Sequence, residues 1–406
     1  MVTRQIIAQA IDNQRKELEN TSLGIQREVF DLLPQVDNFA TIVTGLRRCG
    51  KSTLLLQKIR QNPENVLFLN FDDIRLSDFD TSDFSRLHLE IQERGVKSIF
   101  LDEIQVIDKW EIFVHQLLRE NYKVFITGSN ATLLSVELST HLTGRNLSFE
   151  LFPFSYNEFL RFKNLSANED TATEYLLKGG MPEYLKTNQS LVLSQLVDDI
   201  LLKDIAVRYG VKDVSSLRQM AVYLLSNVGN YLSANKLRGM FNIKSVSSLT
   251  DYLSFMENVY LFYFVPVFDY SLRVQQRNPR KIYCVDSGMV SVISQSFSTD
   301  YGHRLENLVF MHLRRKTKRI YYYKGRGECD FVAVFNQGKK TLTQVCAELT
   351  DFNLDREING MFEALDDLSE TKGTIVTINQ TDEFTKDSKT IKVVPLYKFL
   401  TGSTEL

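Results

Sequence analysis

The segment from Gly45 to Thr53 restricts the fold of this chain more than any other part of its 406 residues. It reads GLRRCGKST, and it stands between the β-branched run FATIVT and the leucine-rich segment 54–59. The order is therefore strand, glycine loop and helix, which is the context of a phosphate-binding loop in a parallel α/β domain. The alternative, a glycine turn before a surface lysine, leaves the flanking pattern unexplained.

The chemistry of this loop predicts a site for nucleotide and metal. Gly45 and Gly50 let the backbone turn so that successive amides and the helix N-terminus point at the phosphates. Lys51 supplies a cation for the β- and γ-phosphates, and the Ser52 hydroxyl is a ligand for Mg²⁺. The predicted cofactors are ATP and Mg²⁺. The predicted nucleotide-binding residues are Gly45, Leu46, Arg47, Arg48, Cys49, Gly50, Lys51, Ser52 and Thr53.

A second strand, KSIFLDE at residues 97–103, ends in an acidic pair. Neighbouring residues of a strand face opposite ways, but the turn after the strand relaxes this rule. We therefore expect Asp102 to join Ser52 as a metal ligand and Glu103 to polarise the attacking water, as phosphoryl transfer requires. An acidic pair after a strand is common by itself. Together with the glycine loop, it predicts hydrolysis of ATP.

Two further segments, NVLFLNF at 65–71 and YKVFITGSN at 122–130, are predicted strands. The first lies between the loop helix and the acidic strand, and the second ends in Ser and Asn. This order resembles the division of P-loop ATPases with an additional strand and a catalytic glutamate, which includes the AAA+ proteins. The resemblance implies that Ser129 or Asn130 hydrogen-bonds the γ-phosphate or the water. The alternative role for both is capping of the next helix.

Arg145 follows a glycine at the end of the amphipathic segment 133–145. An arginine on the γ-phosphate accelerates phosphoryl transfer by orders of magnitude, whether it comes from the same chain or from a neighbour. We predict this catalytic role for Arg145, and a homo-oligomer follows if the arginine comes from a neighbouring copy. The alternative is a surface arginine at a helix C-terminus, where the helix dipole favours a cation.

Composition restricts the class of protein. Four scattered cysteines without a CxxC pair argue against a disulfide framework and a cysteine-rich zinc site. The same cysteines favour a reducing cytoplasm. No apolar run has the length of a membrane span, so we expect a soluble protein without a membrane partner. The formal net charge of -2 excludes a globally basic nucleic-acid binder, but it is compatible with a local basic face.

The middle of the chain is predicted to be helical. Segment 156–210 reads as a helical lid, interrupted at residues 179–182 (GGMP). Helices are predicted at 216–227, from Ser233 and at 245–258, before the strand-like VYLFYFVPVF, and three helices followed by strands predict a winged helix. The exposed face of the third helix is nearly neutral, so DNA reading and protein–protein contact both stay open.

The C-terminal part resembles a PD-(D/E)xK nuclease core in its order of elements. A helix and a strand precede Asp330, and the segment TLTQVCAEL follows. In such a core an acidic residue and a lysine, two positions apart on that last strand, hold metal and activate water. Gln344 and Cys346 stand at these two places. Gln lacks the charge that helps to hold Mg²⁺, and Cys cannot replace an ammonium group. We therefore predict a domain that binds without cutting.

Basic residues cluster at the end of the helix in 303–318 and in the loop before residue 282. The two clusters are Arg314, Arg315, Lys316, Lys318 and Arg319, and Arg273, Arg277, Arg280 and Lys281. Such clusters are often solvated faces. If several of these side chains meet on one surface, they form a phosphate-binding stripe. Nucleic acid is therefore a candidate partner, beside protein.

These motifs together resemble one family. The segments GLRRCGKST, FLDEIQ, TGSN, HLTGR, FPFSYNEFL, GGMPEYL, NPRKIYCVDSGM and ECDF are similar to those of bacterial and archaeal AAA-type ATPases with a C-terminal DUF4143 region. The resemblance covers most of the chain. It implies an α/β fold: a P-loop ATPase core with a parallel sheet, then a helical lid, a winged helix and an α/β restriction-endonuclease-like domain. The corresponding ranges are 1–155, 156–210, 211–270 and 271–406.

The leading hypothesis is a Mg²⁺-dependent ATPase that drives a conformational switch or motor acting on a macromolecular partner. An ATP-dependent nuclease with an active C-terminal domain is the first alternative, and the missing lysine at Cys346 counts against it. A regulatory module that holds ATP with little turnover is the second, and Glu103 counts against it.

Overall fold

The computed structural model describes residues 1–129, 144–241, 243, 245–294 and 301–402. The chain divides into two compact units, Met1–Phe152 with Asn258–Tyr260, and Pro153–Glu257 with Leu261–Leu406. The first unit ends at Phe152 apart from residues 258–260, and the ATPase-core boundary near residue 155 stays a prediction.

The first unit is an α/β domain. Its helices are α1 (Arg4–Asn20), α2 (Lys51–Gln61), α3 (Phe84–Glu93) and α4 (Trp110–Arg119). Its strands are β1 (Ala40–Thr44), β2 (Val66–Asn70), β3 (Ser98–Asp102), β4 (Lys123–Gly128) and β5 (Asn146–Glu150). Short 3₁₀ turns lie at Phe30–Leu32, Ile74–Leu76, Thr81–Asp83 and Ile104–Val106.

Within the described residues of this unit, the five strands form a parallel sheet in the order β2-β3-β4-β1-β5. β4 therefore lies between the strand before the glycine loop and the strand that ends in the acidic pair. This confirms the predicted parallel α/β core. Because the strands are parallel, their carboxyl ends meet at one edge, where Thr44 pairs with Gly128 and Asn70 pairs with Asp102.

Helices bury the central strands of this sheet. Every residue of β1 is buried, as are the last four of β3, and such continuous burial is typical of parallel strands covered on both faces. Apolar residues of α1, α3 and α4 pack together with the sheet in one cluster that includes Phe84 and Trp110. The packed sheet gives the loops at its carboxyl edge a rigid support.

The second unit begins with helices over most of the segment predicted as a lid. These are α5 (Tyr156–Lys163), α6 (Glu169–Lys178), α7 (Pro182–Thr187) and α8 (Ser190–Asp199), which continues as a π-helix, Ile200–Val207. Next come α9 (Val214–Ser226), α10 (Ala234–Met240) and α11 (Val246–Asn258).

An antiparallel strand pair follows these helices. β6 (Phe262–Val265) pairs with β7 (Lys281–Cys284), and their connection contains the short helix α12 (Leu272–Arg277). Three helices and then a hairpin agree with the element order of the predicted winged helix, which stays a prediction. The boundary predicted between residues 270 and 271 falls within the connection of these two strands, and it stays a prediction.

The C-terminal part combines helices with a mixed sheet. Its helices are α13 (Ser287–Ile293), α14 (Gly302–Arg314), α15 (Leu354–Asp367) and α16 (Leu396–Thr401), with a 3₁₀ turn at Asn336–Gly338. Its strands are β8 (Ile320–Lys324), β9 (Glu328–Val334), β10 (Lys340–Val345), β11 (Lys372–Thr377), β12 (Asp382–Lys386) and β13 (Lys389–Pro395). Among the described residues the sheet order is β12-β13-β11-β10-β9-β8. The nuclease-like fold of this part stays a prediction.

The glycine-rich motif and the VDSGM motif meet inside the second unit. Asp286 accepts a hydrogen bond from the amide of Gly180 (2.7 Å) and another from that of Met289 (3.2 Å). A Cβ atom on Gly180 would lie 2.2 Å from the carbonyl oxygen of Phe154, so a larger residue does not fit. These motifs therefore stabilise the fold of the unit. Across the described ranges, every helix is too short or too polar to cross a membrane.

Candidate functional site

The glycine loop connects β1 to α2 at the carboxyl edge of the sheet. Gly45 and Gly50 have φ angles of 137° and 102°, and Arg48 also lies in the left-handed region, at 62°. A Cβ atom on Gly45 would lie 2.1 Å from the carbonyl oxygen of Leu151. Glycine is therefore required at this position, both for its backbone angle and for its contact with the chain after β5.

A buried arginine fixes the loop from the side. Arg27, which is 4% exposed, donates from Nη1 to the carbonyl of Cys49 (3.0 Å) and from Nη2 to the carbonyl of Phe152 (2.7 Å). These bonds tie the loop to the chain after β5. Arg27 lies far before the loop and belongs to no recognisable spacing pattern, so the sequence alone does not reveal its role.

Two of the predicted nucleotide-binding residues have side chains in the interior. Leu46 and Cys49 are fully buried, and the Cys49 thiol donates to the carbonyl of Leu151 (3.3 Å). Burial raises the pKa of this thiol, which keeps it neutral. Any contact of these two residues with a nucleotide is therefore made by the backbone. Arg47 is half-buried and Arg48 is exposed.

Lys51 begins α2 and folds back over the loop. Its ammonium donates to the carbonyls of Gly45 (3.1 Å) and Leu46 (2.9 Å), and the residue is only 4% exposed. Charged phosphate oxygens are stronger acceptors than carbonyl oxygens. The loop thus holds the lysine close to the place where nucleotide phosphates would take over its hydrogen bonds.

The two predicted metal ligands meet beside this loop. The Ser52 hydroxyl donates to Asp102 Oδ1 (3.1 Å), and Asp102 is fully buried. Burial raises the pKa of Asp102 to about 6, against an opposing hydrogen bond from Thr127. The carboxylate is thus mainly charged at neutral pH. Mg²⁺ prefers hard oxygen ligands, and the Ser52 hydroxyl and the Asp102 carboxylate provide two of them side by side.

Two residues that the sequence analysis missed orient this carboxylate. Thr127 of β4 donates its hydroxyl to Asp102 Oδ1, and Asn70 at the end of β2 donates to Oδ2 (3.2 Å). Gln14 of α1 fixes the backbone of Asn70 in turn. Its side-chain oxygen accepts a hydrogen bond from the Asn70 backbone amide (2.8 Å), and its side-chain nitrogen donates to the Asn70 backbone carbonyl (3.1 Å). The sequence does hold a signal for both residues: each is a polar residue near the carboxyl end of a strand. These ends meet at one edge of a parallel sheet, so polar residues there are candidates for the site.

Glu103 follows β3 in a left-handed turn. Its φ angle is 55°, so the alternation of the strand ends at this residue. Its amide donates to Thr127 Oγ1 (3.2 Å), and its carboxylate accepts a hydrogen bond from Gln105 Nε2. Thr127 therefore links the backbone of Glu103 to the carboxylate of Asp102 and fixes the two acidic residues relative to each other.

Ser129 directly follows β4 and is 3% exposed. Because Gly128 pairs with Thr44, Ser129 lies next to the beginning of the glycine loop. This placement agrees with the predicted contact to the γ-phosphate, which stays a prediction. Asn130, the other candidate, lies outside the described residues.

Arg145 lies at the amino edge of the sheet. It precedes β5, and its carbonyl oxygen accepts a hydrogen bond from the amide of Ala40 at the beginning of β1 (3.1 Å). The glycine loop follows the other end of β1, roughly 13 Å away at about 3.3 Å per residue. This placement fits a contact with the γ-phosphate of a neighbouring copy better than one within the same chain, and the catalytic role of Arg145 stays a prediction.

A cavity of about 310 Å³ opens beside Ser52 and Asp102. Glu17, Asp72 and Asp73 are among the residues that line it. Carboxylates on one side of a cleft raise the local concentration of cations. The lining is therefore acidic overall, although Arg75 balances one of these carboxylates by pairing with Asp73 (2.5 Å).

Two arginines at the basic end of α14 make contacts within their own unit. Arg315 donates to the carbonyls of Pro153 (2.8 Å) and Phe154 (3.1 Å), and the Arg314 guanidinium lies over the Tyr263 ring, 5.3 Å from its centroid. Arg315 thus stabilises its own unit, and the predicted phosphate-binding stripe at this helix end stays a prediction.

Comparisons with known proteins agree with this geometry. The pattern of the AAA domain matches residues 37–160, and a domain of unknown function, DUF8612, matches residues 169–300. The predicted resemblance to the DUF4143 region therefore stays a prediction.

Three relatives are known only as uncharacterised proteins. MJ1544 of Methanocaldococcus jannaschii is 30% identical over 98% of this chain and 96% of its own length. A protein of Haemophilus influenzae is 33% identical over 73% of this chain and 80% of its own length. MJ1637 of M. jannaschii is 23% identical over 82% and 81%, respectively. The names of these relatives state no activity, so they assign none to this chain.

Proposed function

This chain belongs to the family of the uncharacterised protein MJ1544, and from its AAA domain we propose that it binds Mg·ATP and hydrolyses it to ADP and phosphate. One observation carries the proposal. The Ser52 hydroxyl and the Asp102 carboxylate are 3.1 Å apart, directly beside a glycine loop that holds a buried lysine. This is the set of groups needed to hold a metal ion against nucleotide phosphates.

Each residue of the site has a separate task in this proposal. The loop amides and the N-terminus of α2 bind the phosphates, and Lys51 exchanges the loop carbonyls for phosphate oxygens. Ser52 and Asp102 hold Mg²⁺, which, when bound, neutralises charge on the phosphates. Glu103 accepts a proton from the attacking water, and Ser129 contacts the γ-phosphate. A module with little turnover is disfavoured, because it has no need for a second, turn-positioned carboxylate.

Lys51→Ala should weaken ATP binding by about 10- to 100-fold, because a hydrogen bond to a charged group contributes about 1.5–3 kcal/mol. The parent chain should release phosphate from ATP in a Mg²⁺-dependent manner, and the variant should not do so at ATP concentrations that saturate the parent. Binding is measured with a fluorescent ATP analogue, and turnover by steady-state phosphate release.

Lys97→Ala is the matched control. Lys97 is exposed and immediately precedes β3, at the sheet edge opposite the loop, so its removal should leave both quantities unchanged. A parent chain without Mg²⁺-dependent phosphate release, or a Lys51→Ala variant with the parent's rate, would contradict the ATPase proposal.

We further propose that ATP hydrolysis drives a switch or motor whose partner is nucleic acid. The β6–β7 connection presents Arg273, Arg277 and Arg280, all exposed, and Tyr270 is 86% exposed. Residues 270–280 include no acidic side chain. Cations that neutralise phosphates and an aromatic ring that stacks on bases are the features of a sequence-tolerant nucleic-acid contact. The nearly neutral face of α11 makes this connection the better candidate.

Replacing Arg273, Arg277 and Arg280 together with alanine should weaken DNA or RNA binding across all sequences. Because phosphate contacts release counterions, the slope of log affinity against log salt should fall by roughly 0.7–0.9 for each phosphate that is no longer neutralised. Any stimulation of the ATPase rate by nucleic acid should also disappear, while the basal rate persists. Fluorescence anisotropy over a salt series measures the first effect, and phosphate release the second.

The control for charge alone removes three scattered, exposed lysines of the same unit, Lys186, Lys212 and Lys372. This variant loses as much positive charge as the arginine triple variant, but its loss of nucleic-acid affinity should be smaller. Equal losses of affinity in the two triple variants, or a parent that binds neither DNA nor RNA, would exclude this connection as a nucleic-acid contact.

A further inference from the structure

A buried lysine lies between two buried carboxylates in the C-terminal part, which is predicted to be nuclease-like. Lys281 begins β7, Glu306 lies in α14, and Asp330 lies in β9. The Lys281 ammonium is 2.9 Å from Glu306 Oε1 and 2.8 Å from Asp330 Oδ1. The exposed fractions of the three side chains are 8%, 9% and 11%. One internal cation thus bridges two carboxylates from different elements.

The remaining carboxylate oxygens are also engaged. Asp330 Oδ2 accepts the amide of Val345 (3.0 Å), and Glu306 Oε1 also accepts the hydroxyl of Tyr283 (2.6 Å). Glu306 Oε2 lies 3.6 Å from His303 Nδ1. A divalent metal ion would need several of these oxygens as direct ligands. They are used by donors of the protein instead.

The two positions that depart from the nuclease pattern are engaged as well. Gln344 accepts the amide of Asp330 (2.9 Å) through Oε1 and donates to Glu357 Oε2 (2.7 Å) through Nε2. The Cys346 thiol donates to the carbonyl of Glu348 (3.1 Å). An amide fits between a backbone donor and a carboxylate acceptor, whereas a carboxylate at position 344 would repel Glu357. Position 344 is therefore adapted to this network.

The formal charges of this network fit an internal cation. Glu306 and Asp330 bring two carboxylates, Gln344 is neutral, and Lys281 brings one ammonium group. The ammonium therefore balances part of the negative charge that the two buried carboxylates carry.

We propose that Lys281 is a built-in replacement for the divalent metal ion, so that this centre binds no metal and stabilises the domain without cleaving nucleic acid. Buried carboxylates need a partner, because an unpaired buried charge strongly destabilises a fold. Burial and the neighbouring Glu306 raise the pKa of Asp330, and Lys281 opposes this rise. The pKa of Asp330 is still raised to about 7, and the ammonium shifts the balance toward the charged form.

Lys281→Met in the full chain tests this role by removing the charge while keeping most of the side-chain volume. We expect Tm to fall by several degrees at pH 8, and 1 mM Mn²⁺ without nucleotide should restore part of this decrease, since the freed carboxylates can then bind the ion. In Lys281→Met with Asp330→Asn, the Mn²⁺ effect should disappear. This assigns the effect to the C-terminal centre and not to Asp102.

Lys324→Met is the matched control. Lys324 pairs with Glu328 at 3.3 Å, but both side chains are more than half exposed, so its loss should change Tm little and create no response to Mn²⁺. A Lys281→Met variant as stable as the parent would overturn the proposal.

A second measurement uses the unaltered chain and so does not depend on the stability of any variant. The full chain is incubated with plasmid DNA and with single-stranded RNA, with Mg²⁺ or Mn²⁺, with and without ATP. We expect no cleavage. Metal-dependent cleavage that disappears in Asp330→Asn would overturn the proposal, because it would show a working metal centre around Lys281.

Discussion

Replacing Glu103 with glutamine is expected to slow ATP hydrolysis by about 10²- to 10⁴-fold while ATP stays bound. Glutamine keeps the size of the side chain and can still accept a hydrogen bond from Gln105, but it cannot take a proton from water. The Glu103 backbone, fixed by Thr127 through the 3.2 Å bond, should be unaffected. Single-turnover hydrolysis and binding of a fluorescent ATP analogue measure the two quantities separately.

Comparison with Lys51→Ala distinguishes an effect on ATP binding from an effect on hydrolysis. Loss of the lysine should reduce binding, whereas loss of the glutamate should reduce only the chemical step. Glu64→Gln is the control, because Glu64 is an exposed carboxylate before β2, at the opposite edge of the sheet. Equal hydrolysis rates for Glu103→Gln and the parent would remove Glu103 from the mechanism and favour direct activation of water by another group.

The sequence predicted the parts of the site that are contiguous in the chain. Strand, loop and helix follow one another around Lys51, and Asp102 and Glu103 end a single strand, so local pattern was sufficient. The parallel sheet then explains why these segments meet, since the carboxyl ends of its strands share an edge. The motifs therefore predict Ser52 and Asp102 as partners, and the structure places them in contact.

Residues that act from separate segments gave no such signal. Arg27 and Thr127 contact the loop and the acidic pair only through the tertiary fold, and no spacing rule connects them to these motifs. Arg145 shows the same limit of local pattern. Its position after a glycine gave no information about which sheet edge it would occupy, and the pairing of β5 with β1 places it at the amino edge.

The C-terminal centre shows how a local pattern can hide a distant replacement. The sequence indicated that Cys346 cannot supply the expected lysine, but it gave no sign that the ammonium of Lys281 lies between two carboxylates. Lys281 belongs to β7, and the boundary predicted between residues 270 and 271 falls between β7 and its partner strand β6. Only the packing of β7 against the following helix and sheet brings Lys281 between Glu306 and Asp330. A domain assignment by sequence ranges therefore could not reveal it.

Gly45→Ala is expected to abolish ATP binding at concentrations that saturate the parent and to lower the stability of the first unit. Its φ angle of 137° is a conformation in which residues with a side chain are strained, by about 1–3 kcal/mol. In addition, the new Cβ atom would lie 2.1 Å from the carbonyl oxygen of Leu151, which is backbone and cannot rotate away. Equilibrium denaturation and binding of an ATP analogue measure the two effects.

Gly95→Ala separates these two causes. Gly95 also has a positive φ angle, 61°, but a Cβ atom there would meet no atom within 4 Å. It should therefore show the cost of backbone strain alone, about 1–2 kcal/mol, with unchanged ATP affinity. The carbonyl of Leu151 also accepts the Cys49 thiol, so in Gly45→Ala the steric contact must displace the loop from β5. If Gly45→Ala kept the parent's affinity, the loop could not depend on this close approach, and the anchoring roles of Arg27 and Leu151 would have to be abandoned.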